Sequence, residues 1–181
     1  MAADIALLDG QHTGALALEL VERKGLGHPD TICDALAEAV SAALSRFYLE
    51  RFGQVLHHNV DKALLCGGAA RPAFGGGEIL EPIEIHLAGR ATRHAGGVEV
   101  PVEDLAYGAC HAWIRSHLAE LDPERDVKII PHIRPTSPDL TSLFLRGRSA
   151  PLANDTSFGV GFAPLDPLER LVLLFCALPN T

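Results

Sequence analysis

One long apolar repeat, announced by a glycine-jointed turn, constrains this chain more than any other feature. Ile32, Leu36, Val40, Leu44 and Tyr48 recur at helical spacing, and Ala39, Ala43 and Phe47 broaden the same face. That pattern predicts a helix buried along most of its length. The turn before it reads Gly25-Leu26-Gly27-His28-Pro29-Asp30. Pro29 suits a first helical position, where its missing N–H would be unpaired anyway. Gly53 stands where a C-terminal cap belongs.

Strand patterns follow. Residues 54–66 read as a strand with Leu56, His58 and Val60 on one face and His57, Asn59 and Asp61 on the other. Residues 82–88 alternate, with Ile83, Ile85 and Leu87 inward and Glu84 and His86 outward. A second helix fits 101–121, opened by Pro101, with Val102, Leu105, Ala109, Trp113 and Leu121 inward. Val127 to Ile133 predicts a strand broken by Pro131, and residues 156–163 another, entering a third helix at Asp166-Pro167. Helices alternating with strands place the chain in the α/β (α+β) class, as a sandwich of the two. The Asp122-Pro123 break suggests one unit over 1–122 and the beginning of a second over 123–181.

The turn at 25–30 is where chemistry is expected. Gly25 and Gly27 let backbone approach a ligand closely, and a helix start attracts anions, phosphates above all. Asp30 and Asp34 put carboxylates at the same end, beside the cations Arg23 and Lys24. A carboxylate and a phosphate repel unless a cation lies between them, which asks for a divalent ion, Mg²⁺ in the first place. His28 is a candidate donor to a phosphate oxygen. Ordinary helix capping by the same residues is the competing explanation, and the residues alone leave both open.

Composition narrows the field. Net charge is −8, with no Lys/Arg run, which argues against a nucleic-acid partner. Cys33, Cys66, Cys110 and Cys176 are widely spaced and form no C-x-x-C, as expected of a reduced, cytoplasmic chain. No apolar run reaches the ~18 residues of a membrane span. The first residues, with Asp4 and Asp9, lack the pattern of a signal peptide. His57, His58, Asn59 and Asp61 look like a metal cluster at first sight, but one strand rarely closes a metal site, and polar surface or an oligomer contact fits them better. Gly75-Gly76-Gly77-Glu78 suits either a gating loop or a plain hairpin connection.

The string ERKGLGHPDTICD resembles the signature of the archaeal-type S-adenosylmethionine synthetases, the methionine adenosyltransferases. Residues 47–92 resemble the family's next block, and PLANDTSFGVGFAPL at 151–165 a third, in family order. The resemblance implies several similar α/β units, each with helices covering one face of a mixed sheet, and adenosyl transfer from ATP to L-methionine. The methionine sulfur would attack the ribose 5′ carbon and the triphosphate would leave. A thioether needs no general base, so alignment and stabilisation of the leaving charge carry the reaction. Mg²⁺ and K⁺ are the implied cofactors. By the same resemblance Gly27 and His28 lie against the ATP phosphates, Asp30 holds Mg²⁺, Ser137 and Asp139 end an ATP-contacting loop, and Asn154 and Asp155 lie near the ligand. Family sites form between two subunits, so a homodimer, or association with a missing C-terminal half, is expected.

Departures from the family pattern matter equally. Arg134-Pro135-Thr136 precedes Ser137 where the family loop has glycines, and Pro135 and Pro138 stiffen the segment. The tail from Leu174 to Pro179 is apolar where the family continues with charged residues, and the family's later cationic motifs are absent. These departures keep a non-catalytic paralogue, binding nucleotide or modulating a full-length synthetase, and a decayed remnant, as alternatives to a synthetase polypeptide.

Overall fold

The computed structural model describes residues 17–136 and 163–177. Contacts divide the chain into two units, Leu26–Asn154 and a second made of Met1–Gly25 with Asp155–Thr181.

The larger unit begins with α1 (Pro29–Phe52), whose buried residues are the five of the sequence repeat, Ile32, Leu36, Val40, Leu44 and Tyr48. Gly53 ends it in the left-handed conformation (φ 71°), its N–H donating to the Leu49 carbonyl at 3.0 Å. Four strands follow in two nested antiparallel pairs. In the main sheet β1 (His58–Cys66) pairs with β4 (Ile83–Ala91), and between them in sequence β2 (Ala69–Ala73) and β3 (Gly76–Glu81) pair as a separate two-stranded sheet. Short strands β5 (His94–Ala95) and β6 (Val98–Glu99) lead into α2 (Val102–His117), after which β7 (Val127–Pro135) lies parallel to β4. The three-stranded sheet thus runs β1-β4-β7 and is mixed, as the class assignment expects. Helix α1 packs on β1 and on α2, and α2 packs on β7. The core between them contains Val60, Ile85, Leu87, Val127, Ile129 and Ile133 from the sheet, and Leu56 from just before β1.

Several sequence expectations shift in detail. Helix α2 turns Val102, Ala106, Cys110 and Ile114 fully inward, whereas Leu105, Ala109, Trp113 and Leu121 only flank the core. Large side chains at the edge of the stripe drew the sequence reading one residue away from its centre. Pro131 does not break β7. Thr136 donates its N–H to the Ala91 carbonyl at 3.0 Å, so by strand alternation the nitrogens of Pro135 and Pro131 face away from β4. Because β7 completes the sheet of the larger unit, residues 127–135 belong with the elements before them, and the contact boundary is not at Asp122-Pro123. The segment Gly75–Glu78 is a hairpin connection: Gly75 (φ 76°) makes the turn, and Gly76 to Glu78 already belong to β3.

Two glycines answer to close backbone contact. A Cβ on Gly89 would lie 2.1 Å from the Asn59 carbonyl oxygen, beside the register shift between Val60 and Lys62. One on Gly68 would lie 2.1 Å from the Glu81 oxygen. Both mark irregularities in the long hairpin.

In the smaller unit, α3 (Pro167–Ala177) starts with a reciprocal cap. The Glu169 carboxylate accepts from the Asp166 N–H, and the Asp166 carboxylate from the Glu169 N–H, each at 2.8 Å. Leu171, Leu174 and Phe175 of α3 are exposed. The strand expected over 156–163 lies outside the described residues, apart from Ala163. No described helix is long and apolar enough to cross a membrane.

Candidate phosphate and metal site

The start of α1 is built by its own sequence. His28 is the N-cap, in extended conformation, and its Nδ1 accepts the Asp30 N–H at 3.1 Å. Histidine here does the work usually given to Ser, Thr, Asp or Asn. The consequence is chemical as well as structural. An Nδ1 that accepts must carry its lone pair there, so the proton of the neutral ring sits on Nε2.

The Asp30 carboxylate is 60 % exposed and lies 3.9 Å from His28 Nδ1. Asp34 is exposed one turn later. The backbone at Gly25 and Gly27 is open: an added Cβ would meet nothing within 4 Å, and neither glycine has positive φ. Neither the chain's own packing nor its own torsions therefore require glycine at these two positions. Arg23 and Lys24 fall in the smaller unit.

Cys33, on the same turn of helix, has its thiol pKa raised, first by burial and then by the charges of Asp34 and Asp30. Among the described residues no group of three or more His, Cys, Asp and Glu side chains gathers to hold a metal ion. Asp30 fits Mg²⁺ only in the manner typical of that ion, one or two protein carboxylates with water and substrate phosphates completing the shell.

The strand histidines resolve into structural roles. His58 points inward, its Nε2 3.0 Å from Ser41 Oγ and its Nδ1 3.0 Å from the Leu56 carbonyl oxygen, with its ring beside Tyr48. His57 Nδ1 lies 3.2 Å from Thr136 Oγ1. Burial, reinforced by His58, lowers the pKa of His57. Asp61 bonds to Lys62 at 2.8 Å.

The segment that replaces the family glycines continues the sheet. Arg134 and Pro135 pair with Arg90 and Ala91, the Pro135 carbonyl accepts from Arg90 Nη1 at 3.0 Å, and Thr136 is tied through both its N–H and its hydroxyl. Arg93, which the sequence reading passed over, joins three elements: its Nη1 donates to Glu103 Oε2 at 2.8 Å and its Nη2 to the Ile133 carbonyl at 2.7 Å. Only the β7 register brings these partners together, and local sequence carries no sign of it. The expected site residues Ser137, Asp139, Asn154 and Asp155 lie outside the described residues.

Residues 3–178 match the family profile described as S-adenosylmethionine synthetase (AdoMet synthetase). The chain is 60% identical over 157 residues to a probable S-adenosylmethionine synthase of Aquifex aeolicus, covering 85% of this chain and 39% of that protein. It is 57% identical over 162 residues to the S-adenosylmethionine synthase of Aeropyrum pernix (87% and 40% covered), and 50% identical over 161 residues to that of Saccharolobus solfataricus (87% and 40%). It thus spans about 40% of the length of these relatives.

Proposed function

The chain belongs to the S-adenosylmethionine synthetase family, and from that premise we propose that it supplies the N-terminal share of a methionine adenosyltransferase site, with ATP and L-methionine as substrates. The observation that carries this reading is the start of α1. There an open glycine backbone, a histidine whose tautomer is set by capping, and an exposed aspartate stand within four residues.

In this proposal the Gly27 backbone lies along the phosphates and His28 Nε2–H donates to a phosphate oxygen. Asp30 holds Mg²⁺, with Asp34 one turn behind. When bound, Mg²⁺ neutralises the triphosphate, and K⁺ is the second cation of the reading. The chain's own task is to align the triphosphate as a leaving group and to keep its charge paired as the sulfur–carbon bond forms. Homodimerisation and association with the remaining part of a family chain both belong to the proposal, as does a cytoplasmic setting, which suits four free cysteines.

The test is product mass. The chain would be incubated with methionine, ATP, Mg²⁺ and K⁺, alone and together with the C-terminal part of a relative, beside an Asp30→Ala control. S-adenosylmethionine that forms with the added part and disappears in the control is the expected result. No product under either condition, from folded protein, would sink the catalytic reading.

A second reading has a specific observation behind it. Thr136 and Pro135 are pinned into the end of β7, where the family has a glycine loop. A chain so altered would bind nucleotide weakly or modulate a complete synthetase without turning over.

A further inference from the structure

The outer face of the three-stranded sheet carries cations of two kinds, paired and unpaired. Strand alternation brings Lys62 of β1, Arg90 of β4, and Lys128 and Arg134 of β7 to this face, opposite the buried Leu87 and Ile133. Lys62 donates to the Asp61 carboxylate and Lys128 to the Glu84 carboxylate, each at 2.8 Å. Arg90 and Arg134 have no carboxylate partner among the described residues. Yet the parallel register sets these two directly side by side, and Asn59 of β1 flanks Arg90 on its other side. All three are exposed. Like charges at facing register positions destabilise a sheet, and an anion held between them removes that cost.

From this juxtaposition we propose that Arg90 and Arg134, with the Asn59 amide, form a binding site for a phosphate oxyanion, separate from the start of α1. The two places lie toward opposite ends of β1. Cys33, on the first turn of α1, is near the Leu65 backbone, and Asn59 is six residues back along the strand, about 20 Å at 3.3 Å per residue. Arg134 stands where the family loop has a glycine, so the site belongs to this chain rather than to machinery the family shares.

The donors suit that ligand. Arg90 Nη1 donates to the Pro135 carbonyl at 3.0 Å, which draws the guanidinium across to β7, to the residue beside Arg134. One bond of this kind steadies the group and leaves its other N–H donors for a ligand. Guanidinium forks match phosphate oxygens in geometry and keep their charge at every working pH. Neighbouring strands are about 4.8 Å apart, so two arginine side chains reach one tetrahedral anion from adjacent positions. Asn59 adds a neutral amide donor from the third strand of the row. Two fixed positive charges match a doubly charged phosphate better than a single carboxylate, and the acids nearest on this face, Asp61 and Glu84, are already engaged by lysines.

Calorimetric titration of the 181-residue chain with inorganic triphosphate, in EDTA and at an ionic strength of about 0.15 M, tests this. Removing divalent ions keeps the Mg²⁺-dependent reading at Asp30 out of the measurement. The expected result is one site that weakens at least about tenfold in Arg90→Gln and likewise in Arg134→Gln, as loss of a hydrogen bond between charged groups requires. Lys128→Gln removes the same charge from the far end of the same face and should leave the affinity unchanged. An equal loss in that variant would reduce the effect to net charge and overturn the site. So would absence of triphosphate binding by the wild-type chain, or unchanged affinity in either arginine variant. ATP should bind no more tightly than inorganic triphosphate, because the three residues offer nothing to a base; binding of ATP alone overturns the proposal. A measurement that needs no variant is modification of wild-type arginines by phenylglyoxal, read by peptide mass. Triphosphate should protect Arg90 and Arg134 together, and equal modification with and without it overturns the shared site.

Discussion

Replacing His28 separates its two roles. As N-cap it accepts the N–H of Asp30, the second residue of α1, so His28→Ala orphans a donor at the start of a 24-residue helix. Losing a cap of this kind costs about 1 kcal/mol, within a range of about 0.5–2. For a unit of this size that lowers Tm by roughly 3–5 °C. Asparagine has a side-chain oxygen at cap reach, so His28→Asn should recover most of that loss. It has no counterpart to Nε2–H at the imidazole's reach. If that group donates to a phosphate, a hydrogen bond worth about 1.5–3 kcal/mol is lost, and Mg-ATP affinity falls by about tenfold or more. The assay is thermal unfolding followed by circular dichroism, with and without Mg-ATP. Wild type should be stabilised by the nucleotide, and His28→Asn should have a near-wild-type Tm but little nucleotide shift. An Asn variant as unstable as Ala would refute the capping argument. An Asn variant that keeps the full nucleotide shift would reduce His28 to a cap and remove its phosphate role.

Three further outcomes follow from the packing. Tyr48 is fully buried and its hydroxyl donates to the Thr92 carbonyl at 2.8 Å, so Tyr48→Phe should cost about 1–3 kcal/mol by orphaning that oxygen, read from urea unfolding. Burial pushes the Tyr48 pKa up to about 12 from about 10, so the neutral phenol's contribution is whole below pH 10 and is lost between about pH 10 and 12. The Phe variant should lack that alkaline limb. Gly89→Ala would set a Cβ 2.1 Å from backbone oxygen, and a loss of about 1–3 kcal/mol in urea midpoint analysis is expected; an unchanged midpoint would show that the strand yields freely. Asp126 is buried, and its carboxyl is held below the usual range first by the Arg125 hydrogen bond and then by the Asp122 N–H. Its folded pKa is depressed, so its stabilisation is present above about pH 4 and is lost as pH falls further, whereas Asp126→Asn should unfold with a flatter acid profile and lower stability at pH 7.

What the sequence disclosed, and what it did not, divides along local and non-local lines. The five buried positions of α1, the Gly53 cap and the alternation of Ile83 to Leu87 are periodicities within one element, and the structure repeats them. Pro131 misled because a proline's cost in a strand depends on which way its nitrogen faces, and that depends on a partner strand. The pairing of β7 with β4 was illegible for the same reason: β7 joins the sheet through a parallel crossover that no turn signal reports. At the candidate site, His28 and Asp30 could be read from a turn and a helix start. The Ile133 partner of Arg93 and the Thr136 partner of His57 could not, since they lie 40 and 79 residues away.

Topology finally decides how a nucleotide site could be assembled. Helix α1 runs back along β1, with the Cys33 thiol near the Leu65 backbone at one end and the Tyr48 hydroxyl at Thr92 at the other. Thr136 joins that second end, through His57 and Ala91. From Asp30 to Tyr48 the helix rises about 27 Å at 1.5 Å per residue. Residues 137–139 extend at most about 11 Å beyond Thr136 at full stretch. Asp30 and Thr136 therefore lie toward opposite ends of α1 within one copy. The proposed sharing of ATP between Asp30 and the segment after Thr136 is then met most simply by two copies about a two-fold axis. Mixing Asp30→Ala chains with Ser137→Ala chains, in whichever assembly proves active, then has a defined outcome. Each variant alone should be inactive, and an equal mixture should regain about a quarter of the wild-type sites, because half of the random pairs carry one intact site of two. A mixture as inactive as its components would refute sharing between copies, and with it the assignment of both segments to one nucleotide.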